Sequence, residues 1–176
     1  MDIIGIKNFT FYYPESPDPA VSDVTLGARQ GEFIVLCGAS GSGKTTLLRN
    51  LKPAVAPFGE RSGQILFRGA SIGDADGRTQ AAEIGFVAQN PENQIVTDKV
   101  WHELAFGLES LGRDSRSIRL RVAELSSFFG IEHWFHRDTW SLSGGEKQLL
   151  NLAAAMVTGP SILVLDEPTA YLDPMG

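Results

Sequence analysis

The residues whose chemistry is most legible are Gly38-Ala39-Ser40-Gly41-Ser42-Gly43-Lys44-Thr45, which fit the pattern G-x-x-x-x-G-K-[ST]. Glycines let backbone N–H groups converge on phosphate oxygens, Lys44 reaches the β- and γ-phosphates of a nucleotide, and Thr45 offers a hydroxyl to magnesium. Asp166-Glu167 follows the apolar run Ile162-Leu163-Val164-Leu165. An acid there projects from the carboxyl end of a strand, the edge at which open α/β sheets bind ligands. Asp166 suits a magnesium shell, and Glu167 can orient an attacking water or accept its proton. Leu142-Ser143-Gly144-Gly145-Glu146-Lys147-Gln148 places a hydroxyl, two flexible glycine amides and a helix dipole where an anion can meet them. Each segment also has a plainer reading: a glycine-rich turn, a solvated strand end, and a capped helix start.

The elements that position these residues follow from periodicity. Residues 3–13 and Val21 to Ala28 have strand composition, so the chain opens β-rich. Phe33-Ile34-Val35-Leu36-Cys37 is a continuous apolar run, predicting a strand buried on both faces just before the glycine loop, with Cys37 a small buried filler. Lys44 to Leu51 reads as the following helix. Gln64 to Gly69 and Ile84 to Ala88 read as two more strands, separated by a polar, turn-prone stretch over 70–83. Over 97–111, Val100, Leu104, Leu108 and Leu111 recur at helical steps; over 117–129, Leu120, Ala123 and Phe128 do the same. A last helix starts near Ser143 to Gly145 and stops at Gly159-Pro160, and Ile162 to Leu165 is a fully apolar strand. The chain is therefore α/β with a helical insert.

Composition narrows the class. The 176 residues carry 15 Lys plus Arg against 21 Asp plus Glu, a formal charge of −6, which argues against nucleic acid as the main partner. The single Cys37 rules out an intrachain disulfide framework and fits a reducing compartment. No window has the ~18 apolar residues of a spanning helix. Met1-Asp2-Ile3-Ile4-Gly5 lacks the charged and apolar regions of a signal peptide. His133 and His136 lack a recognisable ligand spacing, and with His102 they read as surface or packing residues.

The glycine loop, the Asp166-Glu167 pair and above all Leu142 to Gln148 together resemble the motif set of ATP-binding cassette ATPases. The resemblance implies a P-loop NTPase fold with a central mostly parallel sheet, an N-terminal antiparallel β subdomain and a helical insert. Residues 1–176 would form one cassette domain with a helical subdomain at about 95–145. It implies an ATPase that uses ATP and Mg2+, with nucleotide held by Tyr13, Gly38, Ala39, Ser40, Gly41, Ser42, Gly43, Lys44, Thr45 and Thr46. Tyr13 resembles the aromatic that stacks on adenine, and alternation turns Tyr12 to the other face. The catalytic set it implies is Glu167, Gln89 and Lys44, and the metal set Thr45, Gln89 and Asp166, with Gln89 at the loop that faces a membrane partner. Ser143, Gly144, Gly145 and Glu146 would act in trans on nucleotide held by a second cassette, and Ala170-Tyr171-Leu172-Asp173 resembles the loop through which Asp173 reaches across that dimer.

A finer likeness lies in Ala88-Gln89-Asn90-Pro91-Glu92-Asn93-Gln94-Ile95 and Val100-Trp101-His102-Glu103-Leu104-Ala105-Phe106-Gly107-Leu108. These segments look like the energy-coupling factor and cobalt-type ATPases of prokaryotes, which power uptake of vitamins and transition metal ions. The partners so implied are a second ATPase subunit, identical or not, and integral membrane subunits docking near Gln89 to Leu111. Trp101, Phe106 and Leu108 are candidates for lining that groove, or for helix core. The place implied is the cytoplasmic face of the membrane. The sequence departs from the family pattern after the Asp173 motif, where a further strand and a switch histidine are expected. Turnover by these 176 residues is doubtful on that reading, and a missing strand would expose a sheet edge or an apolar face. The alternatives are a soluble cassette clamp without transport and a nucleotide-binding fragment with no turnover.

Overall fold

The computed structural model describes residues 2–171, in two compact units that divide between Gln80 and Ala81. In chain order the elements are β1 (Asp2–Tyr12), β2 (Val21–Arg29), α1 (Lys44–Asn50), β3 (Glu60–Phe67), β4 (Ala70–Ser71), α2 (Gly77–Glu83), β5 (Ile84–Val87), α3 (Val100–Ser110), α4 (Ser115–Phe129), α5 (Gly144–Val157) and β6 (Ile162–Leu165). The stretch over 70–83 is more ordered than its polarity suggests, since β4 pairs with the end of β3 and α2 is a regular helix.

The first unit is built on an antiparallel sheet in the order β2-β1-β3-β4. Its inner face is Ile4, Ile6, Phe9, Phe11, Ile65 and Phe67, all buried. The inward residues of β1 switch from even to odd numbers after Ile6. A strand alternates with period two, so the switch requires one extra residue. Both ladders of β1 shift register there, and Asn8 takes a left-handed backbone at φ 47°. Gly63 opposite has φ 78°, and a Cβ on it would lie 2.2 Å from the Asn8 carbonyl oxygen. The bulge sets the phase that places Phe11 inward.

One predicted strand is not formed. Phe33 to Cys37 joins no ladder, Phe33 and Val35 are 87% and 64% exposed, and Cys37 is exposed too. An apolar run becomes a buried parallel strand only when a neighbour takes its N–H and C=O groups, and none of the described strands does so.

In the second unit β5 and β6 pair in parallel, from Ile84 opposite Ile162 to Val87 opposite Leu165. The helices α3, α4 and α5 pack around Val100, Leu104, Ile131, Trp134, Leu150 and Ala153. For α3 the predicted stripe is the buried one: Val100, Leu104, Leu108 and Leu111 are all inside. For α4 the expected stripe is wrong. Leu120 and Phe128 are 64% and 75% exposed and Ala123 is exposed, while Ile118, Val122, Leu125 and Ser126 are buried. This helix has apolar residues on two sides, and the β-branched Ile118 and Val122 fill the side facing the core. Among the described residues no helix is long and apolar enough to cross a membrane.

Candidate functional site

The glycine loop lies in the first unit. Gly43 is the N-cap of α1 at φ 84°, and a Cβ there would sit 2.1 Å from the Ala20 carbonyl oxygen, so both conformation and space demand glycine. Gly41 turns the chain at φ 80° and Ser42 N donates to Ala39 O at 3.2 Å, giving a tight hairpin of backbone ahead of the helix. The Lys44 ammonium donates to the carbonyl oxygens of Gly38 and Ala39, both at 2.9 Å. Lys44 is thereby folded back across the loop, its charge held over the loop's concave backbone, a place suited to a phosphate. Thr45 follows at the first turn of α1, and Thr46 is buried with its hydroxyl 3.0 Å from the Tyr13 hydroxyl.

Tyr13 stands just past the end of β1, on the same side as Phe11 because both follow the bulge. Its ring meets the fully buried Phe11 edge-on, with centroids 5.0 Å apart, and stays 41% exposed. An aromatic face fixed next to the loop helix can take a flat base.

The two predicted acids lie in the second unit. Asp166 directly follows β6, is buried, and its N–H donates to the Val87 carbonyl at 2.9 Å, extending the β5–β6 pairing by one residue. Glu167 is exposed and has φ 49°, a left-handed backbone that non-glycine residues rarely adopt and that clusters at functional positions. The turn aims its carboxylate at Gln89, whose Nε2 donates to Oε2 at 2.6 Å across 78 residues of sequence. The hydroxyl, amide and carboxylate oxygens of Thr45, Gln89 and Asp166 are hard donors of the kind magnesium prefers, so the residue types fit that ion.

Ser143 is the N-cap of α5 and forms a full capping box with Glu146: Ser143 N–H donates to Glu146 Oε2 at 2.7 Å, and Glu146 N–H donates to Ser143 Oγ at 3.3 Å. Arg137 Nη1 donates to the other carboxylate oxygen at 2.7 Å. These bonds, Arg137 foremost, hold the Glu146 carboxyl below the ordinary glutamate range. The plainer reading of this segment is realised in full, yet the Ser143 hydroxyl accepts there and keeps its own proton to donate. Gly144 lies against Tyr171, where a Cβ would come 3.1 Å from the ring. Asp173 lies outside the described residues.

Several residues that support the predicted site residues have no role of their own in the sequence reading, although most lie within the quoted segments. Gln94 replaces a missing strand partner: its Oε1 accepts from Ala88 N–H and its Nε2 donates to Phe86 O, both at 2.8 Å. Asn151 Nδ2 donates to Pro91 O at 2.9 Å, and Lys147 Nζ reaches Glu92 Oε1 at 2.7 Å, so the segment behind Gln89 is lashed to α5. Glu103, buried on α3, receives the N–H groups of Val96 and Thr97 at 3.0 and 2.8 Å. Buried polar residues on otherwise apolar helix faces were the available signal, for Asn151 and Glu103 alike. Of the groove candidates, Leu108 is helix core, Trp101 packs partly buried against that core, and Phe106 is 48% exposed. His102 sits 3.3 Å from Asp98, and among the described residues no His, Cys, Asp or Glu cluster could hold a metal.

Family comparison matches residues 21–170 to the ABC transporter family, a stretch that takes in the glycine loop, Gln89, Ser143 and Asp166-Glu167. The chain belongs to the ABC transporter family. It is 47% identical to a putative ABC transporter ATP-binding protein of Bacillus cereus, over 99% of this chain and 32% of that protein. It is 35% identical to the energy-coupling factor transporter ATP-binding protein EcfA of Syntrophomonas wolfei, over 99% of this chain and 63% of that one. Among solved structures it resembles cbiO1 of Clostridium perfringens, part of the ABC transporter complex cbiONQ, with TM-score 0.83 and 32% identity over 99% of this chain and 68% of that one. It also resembles a dimeric ATP-binding cassette in a post-hydrolysis state bound to ADP and Pi, with TM-score 0.84 and 26% identity over 98% of this chain and 77% of that one. The fold is that of the ABC P-loop ATPases, and the chain spans about a third of the length of the first curated relatives it matches.

Proposed function

We propose that this chain is the ATP-binding and hydrolysing cassette of a membrane transporter of the energy-coupling factor or cobalt type, serving uptake of a vitamin or a transition metal ion. The names of the EcfA and cbiO1 relatives support the subfamily. The observation that carries the ATPase reading is the Gln89–Glu167 pair, a carboxylate held at the carboxyl end of a parallel strand by an amide from the neighbouring strand's loop. In this reading Lys44 exchanges the Gly38 and Ala39 carbonyls for the β- and γ-phosphates. Glu167, released from Gln89, accepts the proton of a water whose oxygen attacks the γ-phosphorus. The bond from that phosphorus to the bridging oxygen breaks, and ADP leaves with the electron pair. Thr45, Gln89 and Asp166 would hold magnesium, whose charge offsets that of the phosphates.

Ser143, Gly144 and Gly145 cap the triphosphate of a second cassette, and the dimeric relative supports that arrangement. In this reading membrane subunits dock on the Gln89 to Leu111 face, a docking that the exposure of Val96 and Phe106 supports, and the chain works at the cytoplasmic surface of a prokaryotic membrane. Replacing Glu167 with Gln in the full-length protein is expected to leave MgATP binding within about twofold and to lower turnover by ~10²-fold or more. An unchanged rate in a phosphate-release assay removes Glu167 from this role. Lys44→Ala is expected to abolish binding, and saturable MgATP binding without turnover in the unmodified full-length protein favours a nucleotide-binding protein that does no hydrolysis.

A further inference from the structure

Five residues of the first unit close a ring of contacts behind the aromatic platform. The Tyr13 hydroxyl meets the Thr46 hydroxyl at 3.0 Å. Asn50, one turn further along α1, donates Nδ2 to the Thr46 carbonyl at 2.8 Å and accepts from Arg61 Nε on Oδ1 at 2.8 Å. The Arg61 guanidinium lies 5.3 Å over the Phe11 ring, and Phe11 meets Tyr13 edge-on. Further nitrogens of Arg61 reach the carbonyls of Gly59 and Pro57.

Two contacts define the Tyr13 ring, the hydroxyl at its tip and the Phe11 edge at its flank, and Arg61 stands behind both. Asn50 is 4% exposed, so each end of its amide needs a partner. With Arg61 gone, Oδ1 is buried without a donor, and the amide satisfies itself only by turning away from the Thr46 carbonyl. The Phe11 face loses its cation in the same step. Arg61 itself is exposed, so the fold does not need its burial.

We propose that Arg61 and Asn50 are positioning residues for nucleotide base binding: they hold Tyr13 in the orientation in which its face accepts adenine. This rests on the reading of Tyr13 as the base platform. The claim concerns the base: Arg61, Asn50, Phe11 and Tyr13 make no hydrogen bond to the Lys44 ammonium or its carbonyl partners, and Thr46, which belongs to both the ring and the loop helix, is why the test must separate base from phosphate.

The test compares MgATP with magnesium tripolyphosphate, which keeps the phosphate chain and lacks the base, by titration calorimetry on the chain. Arg61→Ala is expected to weaken MgATP by about 3- to 10-fold while tripolyphosphate changes by less than about twofold. Arg61→Lys is expected to recover part of the loss, and Tyr13→Ala to remove the preference for ATP over tripolyphosphate. Adding Arg61→Ala to Tyr13→Ala is expected to change nothing further. Equal losses for both ligands would mean that Arg61 only stabilises the fold or touches phosphate, and unchanged ATP affinity would mean it does neither; each overturns the proposal. Should Tyr13→Ala leave ATP binding intact, the platform reading falls and the proposal with it, whereas an effect of Tyr13→Ala with none of Arg61→Ala defeats the proposal alone. If Arg61→Ala does not fold, Arg61→Lys and Asn50→Asp carry the same comparison.

Discussion

Two predicted site residues sit at left-handed backbone positions, Gly43 and Glu167, and they differ in what they tolerate. Gly43 has no alternative: an alanine there would strain the backbone by about 1–3 kcal/mol and drive its methyl into the Ala20 carbonyl, 2.1 Å away. Gly43→Ala is therefore expected to lower the urea midpoint and to abolish MgATP binding, and a variant as stable as the parent would show that the loop is looser than it looks. Glu167 takes a similar φ with a full side chain, and its Gln89 bond is the visible return for that strain. At this scale the sequence is informative where one motif gathers its residues within eight positions. Spacing alone is silent where partners are far apart and no family motif marks them. Arg61 and Asn50 lie 11 residues apart, and Asn151 and Pro91 60 apart, and only folding brings them together.

Elements with a single apolar face were legible, and the exceptions have physical causes. The α3 stripe and the Ser143 cap follow from spacing alone, whereas α4 carries Leu120, Ala123 and Phe128 on one side and Ile118, Val122 and Leu125 on another. Periodicity counts apolar residues without knowing which side the neighbours fill. The capping box makes a sharper forecast. Glu146 has a lowered pKa through Arg137 and the Ser143 backbone, so its stabilising share is complete above the unfolded value of about 4.3 and disappears as pH falls through the lower folded value. Glu146→Gln keeps the cap acceptor and loses the charge. It is expected to cost roughly 0.5–1 kcal/mol at neutral pH, with the gap to the parent closing at acid pH, once the carboxylate is protonated in the folded state as well. Urea unfolding at the two pH values checks it, and a constant gap would assign the effect to packing.

On the scale of the whole molecule, the exposed Phe33 and Val35 are the largest departure from what the sequence promises. The run is apolar enough for an interior strand, and the open backbone and side chains together form a surface that seeks a partner. The 176-residue chain is expected to self-associate with rising concentration, and Phe33→Ser with Val35→Thr to shift sedimentation toward the monomer; a monomeric parent would refute this. The lashing of the Gln89 segment to α5 has a different reach. Because Asn151 grips Pro91 and Lys147 grips Glu92, a tilt of the helix that begins at Ser143 tugs the chain leading to Gln89, and with it the amide that restrains Glu167. Under the proposed roles, freeing the carboxylate and seating the serine would thus run on one mechanical clock, wound through α5.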